Sequence, residues 1–255
     1  MLLAHELIGH PDDPALILIH GITDTRHMWD PLLDALAAGR YLLTVDLRGH
    51  GESEDDDSSY DPAAYAADVI ETAMALGVHD AIVVGHSLGG IVATALAAAA
   101  PCTAVVNIDQ PLRLSAFKEG LGQLESMLKG DKETFTEALA LLFSAMDGPL
   151  PAGEQERLQA HRSAKQHVVL GTWATVFDSS VEELDATVEA MAAAVKVPYL
   201  AVHGIDPGVD YAAWLMRLIP TAGVELWADH GHYPHLVAQD RFLARLAAFE
   251  ALVRA

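Results

Sequence analysis

The sequence predicts an α/β protein, with a mostly parallel twisted sheet of seven or eight strands, helices on both faces and an inserted helical cap. Three observations carry that prediction. Short continuous apolar runs alternate with helical patterns along the first 109 residues and again from Lys196 onward. Between these two stretches the alternation stops and helical patterns follow one another. Finally, "VVGHSLGGIVA" (residues 83–93) has the form of a strand breaking into a helix across a turn lined by glycines.

The runs "ALILIH" (15–20), "YLLTVD" (41–46), "AIVVGH" (81–86), "AVVNID" (104–109) and "PYLAVHG" (198–204) are short, apolar and rich in β-branched residues. Strands covered on both faces read this way, as they do in a parallel sheet. Helical patterns over Met28–Ala38, Pro62–Leu76, Leu88–Ala100 and Tyr211–Leu218 separate them. Such alternation implies right-handed βαβ crossovers and helices on both sides of the sheet. "GVELWAD" (223–229) predicts a further strand, and residues 234–255 an amphipathic terminal helix. Leu2–Ile8 leaves room for one N-terminal strand. The core is therefore expected over residues 1–110 and 196–255, and the cap over 111–195. Within the cap, helices are expected near Leu114–Leu128, Lys132–Ala145, Gly153–Phe177 and Val181–Ala194. Phe117, Trp173 and other large apolar residues recur along them.

A chain of 255 residues, 51% of them hydrophobic, can bury a large core. Its 15 basic against 36 acidic residues give a formal charge of −21, which argues against nucleic acid and anionic membranes as partners. A single cysteine, Cys102, excludes an internal disulfide and a cysteine-based zinc site. The N-terminus lacks the basic and long apolar regions of a signal peptide, and no apolar run is long enough to span a bilayer. The expectation is a cytoplasmic monomer or homodimer acting on a small molecule without a cofactor.

Gly85-His86-Ser87-Leu88-Gly89 fits G-x-S-x-G at a strand-to-helix junction, the setting of a nucleophile elbow. Glycines on either side of Ser87 would allow a turn too tight for side chains. The strained turn would aim the serine oxygen over the carboxyl edge of the sheet, where open α/β sheets bind ligands. A serine hydroxyl needs a base to take its proton. In "ADHGHYPHL" the expected base is His232, which follows the last strand at the same sheet edge. His230 and His235 compete with it. Their H-x-H-x-x-H spacing lacks a carboxylate or cysteine partner pattern, so no metal is expected. The base in turn needs a carboxylate, and Asp206, just after "PYLAVHG", stands at the carboxyl edge upstream of the histidine. Two oxyanion donors are expected, the backbone N–H groups of Leu88 and of Ile22 in "HGITDT". Gly21 would let the backbone come close to the substrate. His86 and Trp173 are expected to line the substrate site.

Together "HGITDTRHMWDPL", "VDLRGHGES" (45–53), "GHSLGG", "HGIDP" and "HGHYPHL" resemble the α/β-hydrolase superfamily, in particular its lidded serine hydrolases and esterases. The resemblance covers nearly the whole chain. It implies the order nucleophile, acid, histidine that Ser87, Asp206 and His232 follow. It also implies that Arg48, Gly49 and Ser53 are scaffold supporting the oxyanion strand. The chain departs from the family in two places: only Leu2–Ile8 stands where the family often begins with an antiparallel hairpin, and Gly204-Ile205-Asp206 is one residue shorter than the usual G-x-x-D. This leaves Asp109, after "AVVNID", and Asp210 as alternative acids.

The activity expected is cleavage of a carboxylic ester with a hydrophobic acyl or aryl group, through an acyl-enzyme on Ser87. Lactone, thioester or carbon–carbon bond hydrolysis on the same residues is the alternative, as is a non-hydrolytic biosynthetic or binding role. Arg113, Arg157, Arg162, Lys165 and His167 of the cap are available to hold a substrate carboxylate, although a solvated helix face also explains them.

Overall fold

In the computed structural model, which describes residues 1–55, 59–146 and 148–255, the chain opens with β1 (His5–Ile8) and β2 (Ala15–Ile19). A 3-10 stretch over Arg26–Leu32 leads into α1 (Leu33–Ala37), β3 (Tyr41–Val45) and α2 (Pro62–Ala75). β4 (Ile82–His86), α3 (Leu88–Ala99) and β5 (Ala104–Ile108) follow. The sheet is then interrupted by α4 (Ser115–Leu128), α5 (Lys132–Met146), α6 (Ala152–His161), α7 (Gln166–Asp178) and α8 (Val181–Ala194). It resumes with β6 (Tyr199–His203), α9 (Tyr211–Leu218) and β7 (Ala222–Leu226), and the chain ends in α10 (Pro234–Val237) and α11 (Gln239–Val253).

Seven strands pair in the order β1-β3-β2-β4-β5-β6-β7. β1 is antiparallel to β3, and every other pairing is parallel. The continuous apolar runs have a simple cause. Side chains alternate across a strand, so Ile17, Ile19, Val83 and Val105 enter one core while Leu16, Leu18, Ile82, Val84 and Val106 enter the other. Each strand from β2 to β6 is needed by both cores, which leaves it no polar face to write into the sequence.

Three element boundaries differ from expectation. The helix expected over Gly153–Phe177 is broken between α6 and α7. Arg162 turns to extended backbone there, and the Ser163 N–H donates to the Thr23 carbonyl at 2.7 Å. The terminal helix is interrupted at Ala238, which has φ −127° and ψ 62°. The Met28–Ala38 pattern is a 3-10 stretch containing Pro31, followed by one short α-helix. Because β2, β4, β5, β6 and β7 run parallel, the loops that follow them collect at one edge of the sheet, and the site is built there.

Candidate active site

Ser87 sits between β4 and α3 with φ 51° and ψ −124°, a conformation that costs a non-glycine residue about 1–3 kcal/mol. The surroundings leave it no alternative. A Cβ at Gly85 would lie 1.9 Å from the Gly89 carbonyl oxygen, and one at Gly89 would lie 2.3 Å from the carbonyl oxygen of Ile19. The elbow is thus wedged against the end of β2. The Ser87 N–H donates to the Ile108 carbonyl at 2.9 Å, which ties the turn to β5. Its side chain makes no capping bond to α3, so the hydroxyl is not spent on the helix it precedes.

Asp109, the first residue after β5, also has positive φ, at 52°. One of its carboxylate oxygens accepts from His232 Nδ1 at 2.6 Å. The other accepts from the backbone N–H groups of Gly204 and Ile205 at 2.8 and 3.1 Å. Burial works to raise this carboxyl. The His232 hydrogen bond and charge, together with the Ile205 N–H and His203, outweigh it and hold the group below its ordinary value. Asp109 is therefore an anion, and His232 keeps its proton on Nδ1, leaving Nε2 as the basic nitrogen. The His232 backbone N–H donates to the Met146 carbonyl at 2.8 Å, so the inserted helices help to fix the histidine loop.

Asp206 is not the partner of His232, contrary to expectation. It is exposed, and its carboxylate accepts from the Gly208 N–H at 2.8 Å within its own loop. The shortened Gly204-Ile205-Asp206 turn explains the difference. It brings two backbone N–H groups onto Asp109 instead of carrying an acid inward. A Cβ at Gly204 would lie 2.0 Å from the Gly231 carbonyl oxygen, so the histidine loop packs directly on this turn. Asp210 is exposed at the start of α9.

His86 is not placed to line a substrate site. It is fully buried, its Nε2 donates to the His232 carbonyl at 2.7 Å, and its ring stacks among His232, Tyr233 and His235. It supports the histidine loop from behind. His230 is half-buried and bonds to the Ala228 carbonyl, while His235 is buried against Trp29 and Phe242.

Gly21 and Ile22 lie in the loop after β2, and a Cβ on Gly21 would come within 3.1 Å of the Ser87 Cβ. A Cβ at that position would be crowded, so the loop sits close beside the serine. His20 holds the loop in place. Its Nδ1 donates to the Gly21 carbonyl at 2.7 Å, and its Nε2 accepts from the Leu47 N–H at 3.0 Å. Around it, Ser53 bonds to the Asp46 carbonyl, and Arg48 pairs with Asp68. Arg26 pairs with Asp46, so residues 46–53 buttress the loop as the resemblance implied.

Among the residues of the inserted helices, Trp173 on α7 is buried and meets Phe117 edge to face at 5.7 Å. Arg157 donates to the carbonyls of His27 and Met28, while Lys165 and His167 face Asp55. Arg113 lies over the Trp214 ring. These four are engaged with the protein itself.

Sequence reasoning missed Asp24. It is 3% exposed in the loop after β2, and one of its oxygens accepts from the Tyr233 hydroxyl at 3.3 Å. Arg162 Nε approaches its other oxygen to 3.7 Å. Burial raises this carboxyl to about 6, against the opposing pull of Arg162, His232 and Tyr233. Nothing in the spacing of "HGITDT" marks the acid for burial. Asp24 is drawn inside by a loop that turns at Thr23, φ 65°.

The alpha/beta hydrolase family model matches residues 16–245, and the chain belongs to that family. It is 32% identical over 130 residues to the 2-(acetamidomethylene)succinate hydrolase of Mesorhizobium japonicum, a match covering 50% of this chain and 46% of that one. An uncharacterized protein of Mycobacterium bovis is 40% identical over 80 residues, covering 31% of this chain and 24% of that one. The chain thus spans between a quarter and a half of the length of these curated relatives. A hydrolase from Pseudomonas aeruginosa superposes with a TM-score of 0.79 at 24% identity, over 97% of this chain and 93% of that one, and shares the fold. Among the described residues no helix is long and apolar enough to cross a membrane.

Proposed function

We propose that this protein is a serine hydrolase that cleaves a carboxylic ester of a hydrophobic small molecule through an acyl-enzyme on Ser87. The observation that carries the reading is the 2.6 Å Asp109–His232 hydrogen bond at the sheet edge where the strained Ser87 elbow stands. Ser87 Oγ attacks the ester carbonyl carbon as its proton passes to His232 Nε2. Asp109 stabilises the resulting imidazolium. The developing oxyanion is received by the N–H groups of Leu88, at the positive end of α3, and of Ile22. The tetrahedral intermediate collapses, the C–O bond breaks, and His232 returns the proton to the departing alkoxide. Water, losing a proton to the same nitrogen, attacks the acyl-enzyme, and the carboxylic acid leaves with Ser87 regenerated.

Helices α4–α8 form the cap in this reading, and their apolar residues, Trp173 among them, favour an apolar acyl or aryl group. Membership of a hydrolase family and the likeness to a hydrolase across half the chain support the assignment. The test is turnover of a chromogenic ester series of increasing acyl length. Wild-type protein should hydrolyse part of the series, and Ser87→Ala should lose activity by about 10⁴-fold or more. A well-folded S87A variant with undiminished turnover would overturn the proposal.

A further inference from the structure

A second buried carboxylate, Asp24, stands near the serine. A Cβ placed on Gly21 would lie 3.1 Å from the Ser87 Cβ, 3.3 Å from Asp24 Oδ2 and 3.1 Å from His86 Nδ1. Groups from two chain segments, the loop after β2 and the end of β4, therefore converge on one point. Asp24 Oδ2 accepts from the Tyr233 hydroxyl at 3.3 Å and faces His86 Nδ1 at 4.0 Å. His86 has already given its Nε2–H to the His232 carbonyl, so in the neutral ring Nδ1 is a bare lone pair without a hydrogen-bond partner. The rings of His86 and Tyr233 lie 4.7 Å apart, and each also flanks the His232 ring, at 4.7 and 5.3 Å. From the cap, Arg162 brings Nε to 3.7 Å from Asp24 Oδ1, and its Nη2 donates to the Tyr233 hydroxyl at 3.2 Å.

Resting on the serine-hydrolase reading above, we infer that Asp24 is a positioning residue of the active site, acting on His232 through the His86 and Tyr233 rings, and that Arg162 of the cap controls its charge. When ionised, Asp24 stabilises the protonated form of His232 as a second negative charge besides Asp109, across buried groups that are poorly screened. When protonated, Asp24 carries no charge, and that stabilisation is withdrawn. The cap supplies the counter-charge that favours the first state. The adjoining Ser163 N–H, bonded to the Thr23 carbonyl at 2.7 Å, fixes the cap strand to the same loop. The charged and titratable groups facing this cluster among the described residues include Asp109 just after β5, His20 just after β2, His86 from β4, Arg157 from α6, His235 from α10, His203 from β6 behind Asp109, and Arg162. Asp24, in the loop after β2, and Arg162, between α6 and α7, come from different layers of the molecule, which suits them to report the cap to the base.

The experiment is the pH dependence of Ser87 phosphonylation by a fluorophosphonate probe, which requires His232 as base but no natural substrate. The wild-type rate falls toward acid as the histidine is protonated. In Asp24→Asn this acidic limb should move to lower pH, by about 0.5–1 unit, while the rate at high pH stays within about 10-fold. In an Arg162→Gln background the D24N shift should shrink, because Asp24 already holds its proton there. A folded D24N protein whose acidic limb coincides with that of the wild type would overturn the inference. An undiminished shift in the R162Q background would overturn the role given to Arg162. If D24N does not fold, the His232 ring resonances of the wild type are followed by NMR across the same range. Two inflections support the coupling, and a single inflection overturns it. A wild-type protein that never labels would instead sink the serine-hydrolase reading on which this one stands.

Discussion

Asp109 carries the residue-scale argument, because its two oxygens are divided between a side-chain partner and a pair of backbone donors. Oδ2 takes the His232 proton donor, and Oδ1 takes the N–H groups of Gly204 and Ile205. Asp109→Asn would keep the shape but offer an amide N–H where His232 needs an acceptor. By analogy with other triads of this geometry, esterase turnover should fall by about 10⁴-fold. Asp206→Asn, on an exposed side chain bonded within its own loop, should leave turnover within about 2-fold. Parallel kcat measurements on the two variants decide the matter, and an inactive D206N beside an active D109N would reverse the assignment. The pH behaviour of the carboxylate follows from its depressed value. The stability that Asp109 contributes is complete above the ordinary carboxylate range and is lost as pH falls through its lower folded value.

Among the elements, the β4–elbow–α3 unit concentrates the strain, and its glycines differ sharply from those elsewhere. A Cβ at Gly85 would meet backbone atoms of Gly89 and Gly90 at 1.9–2.7 Å, and no rotamer change can relieve a backbone clash. Gly85→Ala should therefore destabilise the protein by at least about 3 kcal/mol or prevent folding. Gly122, inside α4, would meet nothing within 4 Å and does not have positive φ. Gly122→Ala should raise stability by about 0.5–1 kcal/mol through helix propensity. Denaturant titrations of both variants test the contrast. A G85A protein as stable as the wild type would show that the elbow is less constrained than its packing indicates. The break between α6 and α7 has a related origin, since four residues leave the helix to reach the loop after β2. Ser163 bonds to Thr23 there, and Arg162 reaches Asp24 and Tyr233.

For the molecule as a whole, the buried histidines set the response to acid. His20, His50, His86, His203 and His235 are all fully buried. Burial lowers each of them, to about 3 for His50 and His235 and about 4 for His203. For a base lowered on folding, stability is complete above the unfolded value of 6.5 and declines as pH drops toward the folded value. Asp24 opposes the trend by one proton, because its folded value near 6 makes it take up a proton earlier than the unfolded chain does. Unfolding near pH 5 should accordingly be linked to net uptake of at least about three protons. The unfolding free energy measured between pH 6 and 4.5 should fall steeply with that slope. A flat profile would mean that these histidines are protonated in the folded protein.

Much of this was legible in the sequence because it is written in local pattern. The strands from β2 to β6 serve two cores at once, so continuous apolar runs announced them. The elbow had to be Gly85-His86-Ser87-Leu88-Gly89 because the constraint on its backbone is local, and His232 could be picked from its place after the last strand. The sequence also marked the turn after β6 as unusually short, without saying what the shortening was for. Tertiary structure alone decided which acid meets His232, since Asp109 and Asp206 both follow strands that end at the same edge. The Cα register of β5 and β6 and the packing of Gly231 on Gly204 brought Asp109 under the ring and turned Asp206 to solvent. Tertiary structure likewise put His86 behind the site rather than in it, and brought Asp24 to Arg162 across more than a hundred residues. Pairings at such separation are fixed by how loops pack against one another, and no local spacing in the chain encodes them.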